Sequence, residues 1–275
     1  MINIGLDKCV LCGLCEYDCP AHAIKVGSEE VDFYNEKCFM CGHCVAICPQ
    51  GAIKMIGVKE EEIIEYNKEK FEVDHENLLN FIKFRRSIRK YKTQNVEKEK
   101  INNLIEAARY TPTGGNRQPL RYIVIKDKLE EIKELAINGL YDLAINHDDM
   151  EPLKSVPKYK ERFIQMYDDY KNNQNDTLFF GAPTVIAIIG DVSKGSTVQI
   201  DAGLAASNME LMANAQGLGI CYIGFFVSAS KYVPKINEIL GINPNEKILA
   251  TFTLGYPDVN YKRTVNRNEA NVEIL

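Results

Sequence analysis

No run of apolar residues in this sequence approaches the ~18 residues that a membrane-spanning helix needs, so we expect no membrane partner. Positive charge is not in excess: the formal net charge is −5 at pH 7, which argues against nucleic acid as the main partner. No G-x-G-x-x-G turn follows a candidate strand, so a Rossmann nucleotide site is not supported. The first residues lack the apolar segment of a secretory signal, and we expect a cytoplasmic protein.

Cysteine is concentrated near the start of the chain, where eight of the nine residues form two copies of C-x-x-C-x-x-C-x-x-x-C-P. The first copy contains Cys9, Cys12, Cys15, Cys19 and Pro20, and the second contains Cys38, Cys41, Cys44, Cys48 and Pro49. The second copy begins 29 residues after the first, and several flanking residues recur with it. Such self-similarity predicts a duplicated structural unit.

The pattern is the ligand run of a bacterial ferredoxin that carries two [4Fe–4S] clusters. In such ferredoxins the fourth cysteine of each run binds the other cluster. The first cluster is therefore predicted on Cys9, Cys12, Cys15 and Cys48, and the second on Cys38, Cys41, Cys44 and Cys19. A disulfide framework is the alternative for a secreted chain. Zinc is the alternative for paired C-x-x-C motifs, but it does not account for two four-cysteine runs that each end in proline.

A chain of 275 residues indicates about two domains. We predict a ferredoxin domain at 1–57, an acidic linker at 58–75 and a second domain of helices and strands at 76–275. The ninth cysteine, Cys221, lies in an apolar stretch and is predicted to be a buried, inert thiol.

Hydrophobic periodicity predicts the elements of the second domain. Helices are predicted at 77–86, 97–110, 129–143 and 197–215, and strands at 121–126, 184–189, 220–223 and 247–255. The last helix is rich in small residues, which allow another backbone to approach closely at a core or subunit interface.

Three segments of this domain carry residues suited to binding an anion or a planar ring. The first reads R-R-S-I-R-K-Y from Arg85, and its guanidinium groups suit bidentate phosphate binding; the alternative is a solvated basic face. The second reads P-T-G-G-N-R-Q-P from Pro112, where amides can read the edge of a heterocycle; the alternative is an ordinary turn. The third is L-G-Y-P from Leu254, with two cations after it that would return to the phosphate; the alternative is a polar tail.

In this order, and with the helix sequence D-A-G-L-A-A-S-N-M-E-L-M-A-N-A-Q-G-L-G between the second and third, these segments resemble the nitroreductase family of flavin mononucleotide (FMN) enzymes over 77–267. Together with the cysteine repeat, the chain resembles ferredoxin–nitroreductase fusions. The resemblance implies an α+β fold, in which the ferredoxin-like domain precedes a mixed central sheet wrapped by helices, and a homodimer with FMN at the subunit interface.

The resemblance also implies roles for individual residues. Arg85 and Ser87, with Arg86 adjacent, would hold the FMN phosphate or ribityl chain, and Arg89 would lie near the pyrimidine edge of the flavin. Residues that would pack on the flavin or hydrogen-bond to it are Pro112, Thr113, Gly114, Asn116 and Gln118. A backbone N–H of Ile223 or Gly224 would face the redox nitrogen, and Arg263, with Lys262, would return to the phosphate. Leu120 replaces a common aromatic residue, and 141–180 matches no family motif.

Electron counting then predicts a reaction. Electrons would pass from a low-potential donor, either a ferredoxin-type protein or NAD(P)H, through the clusters to FMN. They would go on to a small organic acceptor such as a nitroaromatic, quinone or enone. The flavin does the bond chemistry, so no catalytic side chain is named. The alternatives are a redox sensor or electron carrier without turnover, and an enzyme of the same fold with another reaction, such as reductive dehalogenation or flavin destruction.

Overall fold

The computed structural model describes all 275 residues and divides into two compact units. The first unit contains Met1–Val73 and Gly114–Arg117, and the second contains Asp74–Thr113 and Gln118–Leu275. Most of the predicted linker, up to residue 73, therefore belongs to the first unit. None of the helices combines the length and the apolar character needed to cross a membrane.

The first unit repeats one small motif. Its elements are β1 (Ile2–Ile4), α1 (Leu14–Tyr17), β2 (Ile24–Val26), β3 (Val31–Phe33), α2 (His43–Ile47), β4 (Ile53–Met55) and α3 (Lys68–Phe71). Strand β1 pairs antiparallel with β4, and β2 pairs antiparallel with β3. Ile2, Ile24 and Ile53 form a small core between the two pairs. A core this small stabilises the unit only weakly, so further cross-links are needed to hold the unit together.

The second unit contains all the predicted helices and strands and three helices that were not predicted. Its elements are α4 (His75–Phe84), α5 (Lys98–Arg109), β5 (Leu120–Ile125), α6 (Leu129–Asn146), α7 (Tyr159–Asn173), β6 (Thr184–Asp191), α8 (Val198–Ala215), β7 (Gly219–Tyr222), α9 (Gly224–Tyr232), α10 (Pro234–Ile239) and β8 (Glu246–Gly255). The predicted bounds differ from the observed ones by three residues at most. The α+β class is confirmed.

The central sheet has the order β5-β6-β8-β7, and every neighbouring pair is antiparallel. The prediction of a mixed sheet is therefore wrong. The connections explain the difference: two helices lie between β5 and β6, and two more lie between β7 and β8. Two helices in succession return the chain to the end of the sheet where it left, so the next strand runs in the opposite direction.

Strand β6 is the buried centre of this unit. Val185, Ala187 and Ile189 face a core that includes residues of α6, α7 and α9. Ile186 and Ile188 face the opposite core, which includes residues of α5 and α8. A strand covered on both faces needs apolar residues at every position, which accounts for the β-branched run in the sequence.

Candidate cofactor sites

The eight clustered cysteines line two cavities, each of which combines three residues of one run with one of the other. The first cavity is lined by Cys9, Cys12, Cys15 and Cys48. The second is lined by Cys19, Cys38, Cys41 and Cys44. The structure therefore brings the cysteines together in the two crossed sets that were predicted.

Backbone conformation shapes the loops around these cavities. Gly13 and Gly42 precede α1 and α2 with φ of 75° and 79°, a left-handed conformation that glycine adopts without steric cost. The N–H groups of Ala23 and Ala52 donate to the sulfurs of Cys19 and Cys48, each at 3.3 Å. Hydrogen bonds to ligand sulfur are one means of tuning the potential of an iron–sulfur cluster.

The chemistry of the donor set fits iron–sulfur clusters. The pKa of Cys44 is raised to about 11, chiefly by burial and to a smaller extent by the neighbouring thiols. Burial also raises the pKa of Cys15. Such thiols bind metal only when the metal displaces their protons.

A cavity of about 350 Å³ in the second unit is surrounded by cations and hydroxyl groups. Its lining residues are Arg85, Arg86, Ser87, Arg89, Tyr261 and Arg267. Guanidinium groups match the oxygen geometry of a phosphate, and hydroxyl groups can donate to the remaining oxygens. This donor set fits the phosphate end of FMN.

Backbone pairing brings the two chain segments of this cavity together. After α4, the N–H of Ile88 donates to the carbonyl of Ile220 at 2.8 Å, and the N–H of Lys92 donates to that of Tyr256 at 2.9 Å. Gly219 is required for the first contact, because a Cβ there would lie 2.2 Å from Cγ1 of Ile88. The first predicted segment is thereby held beside the start of the tail that carries Tyr261 and Arg267.

Arg85 already has an acidic partner. Its Nη1 donates to Oε1 of Glu210 on α8 at 2.7 Å, and the Glu210 side chain is only 8% exposed. A carboxylate that is nearly buried must keep its cation, because leaving it unpaired costs several kcal/mol. Arg85 is therefore fixed in orientation, and part of its charge is already neutralised.

Cys221 is buried, as predicted. Burial raises the pKa of its thiol, and the Arg89 guanidinium nearby opposes that shift. The thiol is therefore not activated as a nucleophile, and Arg89 has a buried neighbour on the side of β7.

The second predicted segment does not line the arginine cavity. The Thr113 hydroxyl accepts a hydrogen bond from the N–H of Gln118 at 3.0 Å, which closes the turn. Gly114–Arg117 group with the first unit, where Nδ2 of Asn116 donates to the carbonyl of Met40 at 2.7 Å. Asn116 and Gln118 both have positive φ, of 51° and 46°. Turn formation thus uses groups to which the family resemblance gives flavin roles, and the flavin roles of Pro112, Thr113, Gly114, Asn116 and Gln118 stay predictions.

The remaining predicted residues also lie outside the cavity. Ile223 is buried, and Gly224 is the first residue of α9, where the leading N–H groups have no acceptor within the helix. Lys262 and Arg263 are exposed and do not line the cavity, where Tyr261 and Arg267 lie instead. The sequence analysis missed both, because a tail without secondary structure has no periodicity to indicate which cations face inward.

Comparison with known proteins assigns both parts of the chain. The sequence model of the nitroreductase family matches residues 82–256, more than half of the chain. A 4Fe–4S dicluster domain matches residues 8–53. The predicted combination of a ferredoxin domain and a nitroreductase domain is confirmed.

Individual relatives resemble the second part. A 4-nitrobenzoate reductase of Pseudomonas putida is 27% identical over 202 residues, which is 66% of this chain and 85% of the relative. An iodotyrosine deiodinase of Hydra vulgaris is 25% identical over 183 residues, and the match spans 64% of this chain and 63% of that protein. A nitroreductase with bound FMN from Desulfitobacterium hafniense superimposes with a TM-score of 0.54 at 25% identity, covering 71% of this chain and 97% of that one.

The family match covers the arginine segment, the turn after α5 and the whole central sheet. The dicluster match at residues 8–53 encloses all eight clustered cysteines, from Cys9 to Cys48. The chain therefore belongs to the nitroreductase family and is a flavin-dependent oxidoreductase with a 4Fe–4S dicluster domain in its N-terminal part.

Proposed function

We propose that this protein passes electrons from a low-potential donor through two [4Fe–4S] clusters to FMN and on to a small organic acceptor. Bound FMN would accept electrons singly and deliver them singly or as a pair, which joins one-electron clusters to two-electron chemistry. The protein would act in the cytoplasm, with a ferredoxin domain at 1–57, a linker at 58–75 and an FMN domain at 76–275.

The arginine cavity is the observation that carries this proposal. Glu210 neutralises the charge of Arg85, but the cavity has three further cations, Arg86, Arg89 and Arg267. The site therefore keeps a net positive charge that can bind a phosphate. Arg85, Arg86, Ser87 and Arg267 would hold the phosphate and ribityl chain. Arg89 would reach the pyrimidine edge of the flavin, where a cation stabilises negative charge.

An apolar surface on α4 supports a homodimer. This helix buries none of its residues within the chain. Leu79 and Phe84 are 50% and 46% exposed, and Ile200 on α8 is 63% exposed. Large apolar side chains exposed on helices favour an interface between copies. The turn after α5 and the start of α9 do not line the arginine cavity of their own chain. A second copy would supply these contacts to the flavin.

The crossed ligand sets make a prediction about iron content. Anaerobically purified protein should hold about eight iron ions and eight sulfides, and Cys19→Ala should retain about half of them. Adding Cys41→Ala should remove little more, because both residues serve one cluster. Adding Cys12→Ala to Cys19→Ala should remove nearly all of the iron, because each cluster then lacks a ligand. The opposite result for the two double variants would mean that the ligands are not crossed, and Cys221→Ala is the control for loss of a thiol as such.

A screen of acceptors tests the reaction. Protein reduced anaerobically with dithionite, and freed of the excess, should be reoxidised rapidly by a nitroaromatic or a quinone, as followed by flavin absorbance. The similarity to 4-nitrobenzoate reductase supports the nitroaromatic class. Failure of every acceptor to reoxidise FMN-loaded protein would contradict turnover and favour an electron carrier.

Reductive dehalogenation is a second candidate reaction because the iodotyrosine deiodinase similarity extends over most of the flavin domain. An iodinated phenol belongs in the same screen, with released iodide as the readout. Iodide release faster than nitroaromatic reduction would favour this reaction.

A further inference from the structure

We propose that Phe180 is a positioning residue that holds the Arg89 guanidinium in place at the flavin site. The Cζ atom of Arg89 lies 5.8 Å from the centroid of the Phe180 ring, within the range of a cation–π contact. The inference rests on the proposed function, since it concerns the cation assigned to the pyrimidine edge. It also gives a role to the end of the 141–180 segment, for which the sequence analysis names no function.

The backbone around Phe180 is held in an uncommon conformation. Phe180 has φ of 59°, in the left-handed region that a residue with a bulky side chain rarely adopts. The preceding Phe179 is fully buried and packs edge to face on Phe226, with ring centroids 5.3 Å apart. The reversal of φ directs the Phe180 ring away from that core, so the ring is half-buried and available to Arg89.

The carboxylate of Asp176 stabilises this turn. It accepts backbone hydrogen bonds from Leu178 at 3.0 Å, Phe179 at 2.7 Å and Gly181 at 3.2 Å, on both sides of Phe180. Nζ of the nearly buried Lys133 lies 3.3 Å from the same carboxylate. Backbone strain of this kind persists only where surrounding contacts determine it, and it is found disproportionately at functional sites.

Arg89 needs such a neighbour because its side chain is long and exposed. It lies after α4, outside regular secondary structure, where a long side chain has many rotamers. The ring of Phe180 on one side and Cys221 on another restrict the guanidinium to the cavity that it lines. A cation held in advance loses less entropy when it meets negative charge on the flavin.

A double-mutant cycle tests the proposal in the full-length, cluster-loaded protein. Phe180→Leu should raise the Kd for FMN roughly two- to fivefold and make the midpoint potential of bound FMN more negative, as expected for loss of a partly exposed cation–π contact. Phe180→Tyr should leave the Kd and the midpoint potential close to those of the wild type, because the aromatic ring is kept. In an Arg89→Gln background, Phe180→Leu should have no further effect, because its target is gone.

Tyr110→Leu is the matched control. Arg109 lies over the Tyr110 ring at the same distance, 5.8 Å, and neither residue lines the arginine cavity. The inference is overturned if Phe180→Leu leaves Kd and potential unchanged, if its effect persists in the Arg89→Gln background, or if Tyr110→Leu produces an equal change. If the wild-type protein binds no FMN, the proposed function itself fails and this inference fails with it.

Discussion

Turnover driven by a low-potential protein donor should fall about 10²- to 10³-fold when Cys12 and Cys41 are both replaced by Ala. Each replacement removes a ligand from a different cysteine set, so neither proposed cluster can relay electrons. A tethered relay has an effective concentration of about a millimolar at the flavin, which a free donor at about a micromolar does not reach. FMN content and reduction by dithionite should be unchanged, because no cluster ligand lines the arginine cavity.

Direct reduction by NAD(P)H is the control for this result. Any NAD(P)H-driven rate should survive in the cluster-free variant, because that donor would reach the flavin without the clusters. Substituting cysteines is preferable to deleting residues 1–73, because Gly114–Arg117 belong to the same compact unit as that segment. The deletion would also remove the carbonyl groups to which the Asn116 side chain donates. Equal donor-driven turnover with and without the clusters would contradict internal electron delivery.

The grouping of the cysteines could be predicted because ligand spacing in two-cluster ferredoxins is fixed, with the fourth cysteine of each run crossing to the other; their role as cluster ligands stays a prediction. Ligand spacing within each run dictates a tight loop, and the structure places Cys48 and Cys19 in the cavities of the opposite runs. The same holds for buried strands such as β6, where an unbroken β-branched run admits few other interpretations.

Other features depend on long-range packing that a single sequence does not display. Helix α7 is polar on average and buries only Phe163 and Met166, so its periodicity is weak. The direction of each strand depends on how many helices connect it to the strand before. Because α7, α9 and α10 are not apparent in the sequence, the strand directions could not be predicted. Nothing in the sequence near Glu210 indicates that it pairs with Arg85, because the two residues are 125 positions apart.

The tail shows the same limitation at the functional site. Lys262, Arg263 and Arg267 are chemically similar, and the family resemblance favoured the first two for the phosphate. Only the path of the chain after Tyr256 decides which cation faces Arg86 and Ser87, and that path leads Arg267 to the cavity.

Arg267→Ala should therefore weaken FMN binding more than Arg263→Ala does. Removing one charged donor from a phosphate site costs on the order of 1.5–3 kcal/mol, which is a roughly 10- to 150-fold rise in Kd. Arg267 is exposed and has no structural role in the core, so the change should leave the unfolding temperature of the flavin-free protein unaltered. FMN fluorescence quenching gives the Kd of each variant.

Arg85→Ala should weaken FMN binding as well, but its interpretation needs a second variant. It leaves the nearly buried Glu210 without its cation, so the fold should lose stability in addition to a phosphate ligand. In Arg85→Ala with Glu210→Gln, that penalty should be reduced while the loss of FMN affinity remains, which separates binding from folding. If Arg85→Ala and Arg267→Ala both keep the wild-type Kd while Arg263→Ala raises it, the phosphate lies at the other end of the tail segment, and the arginine cavity has a different ligand.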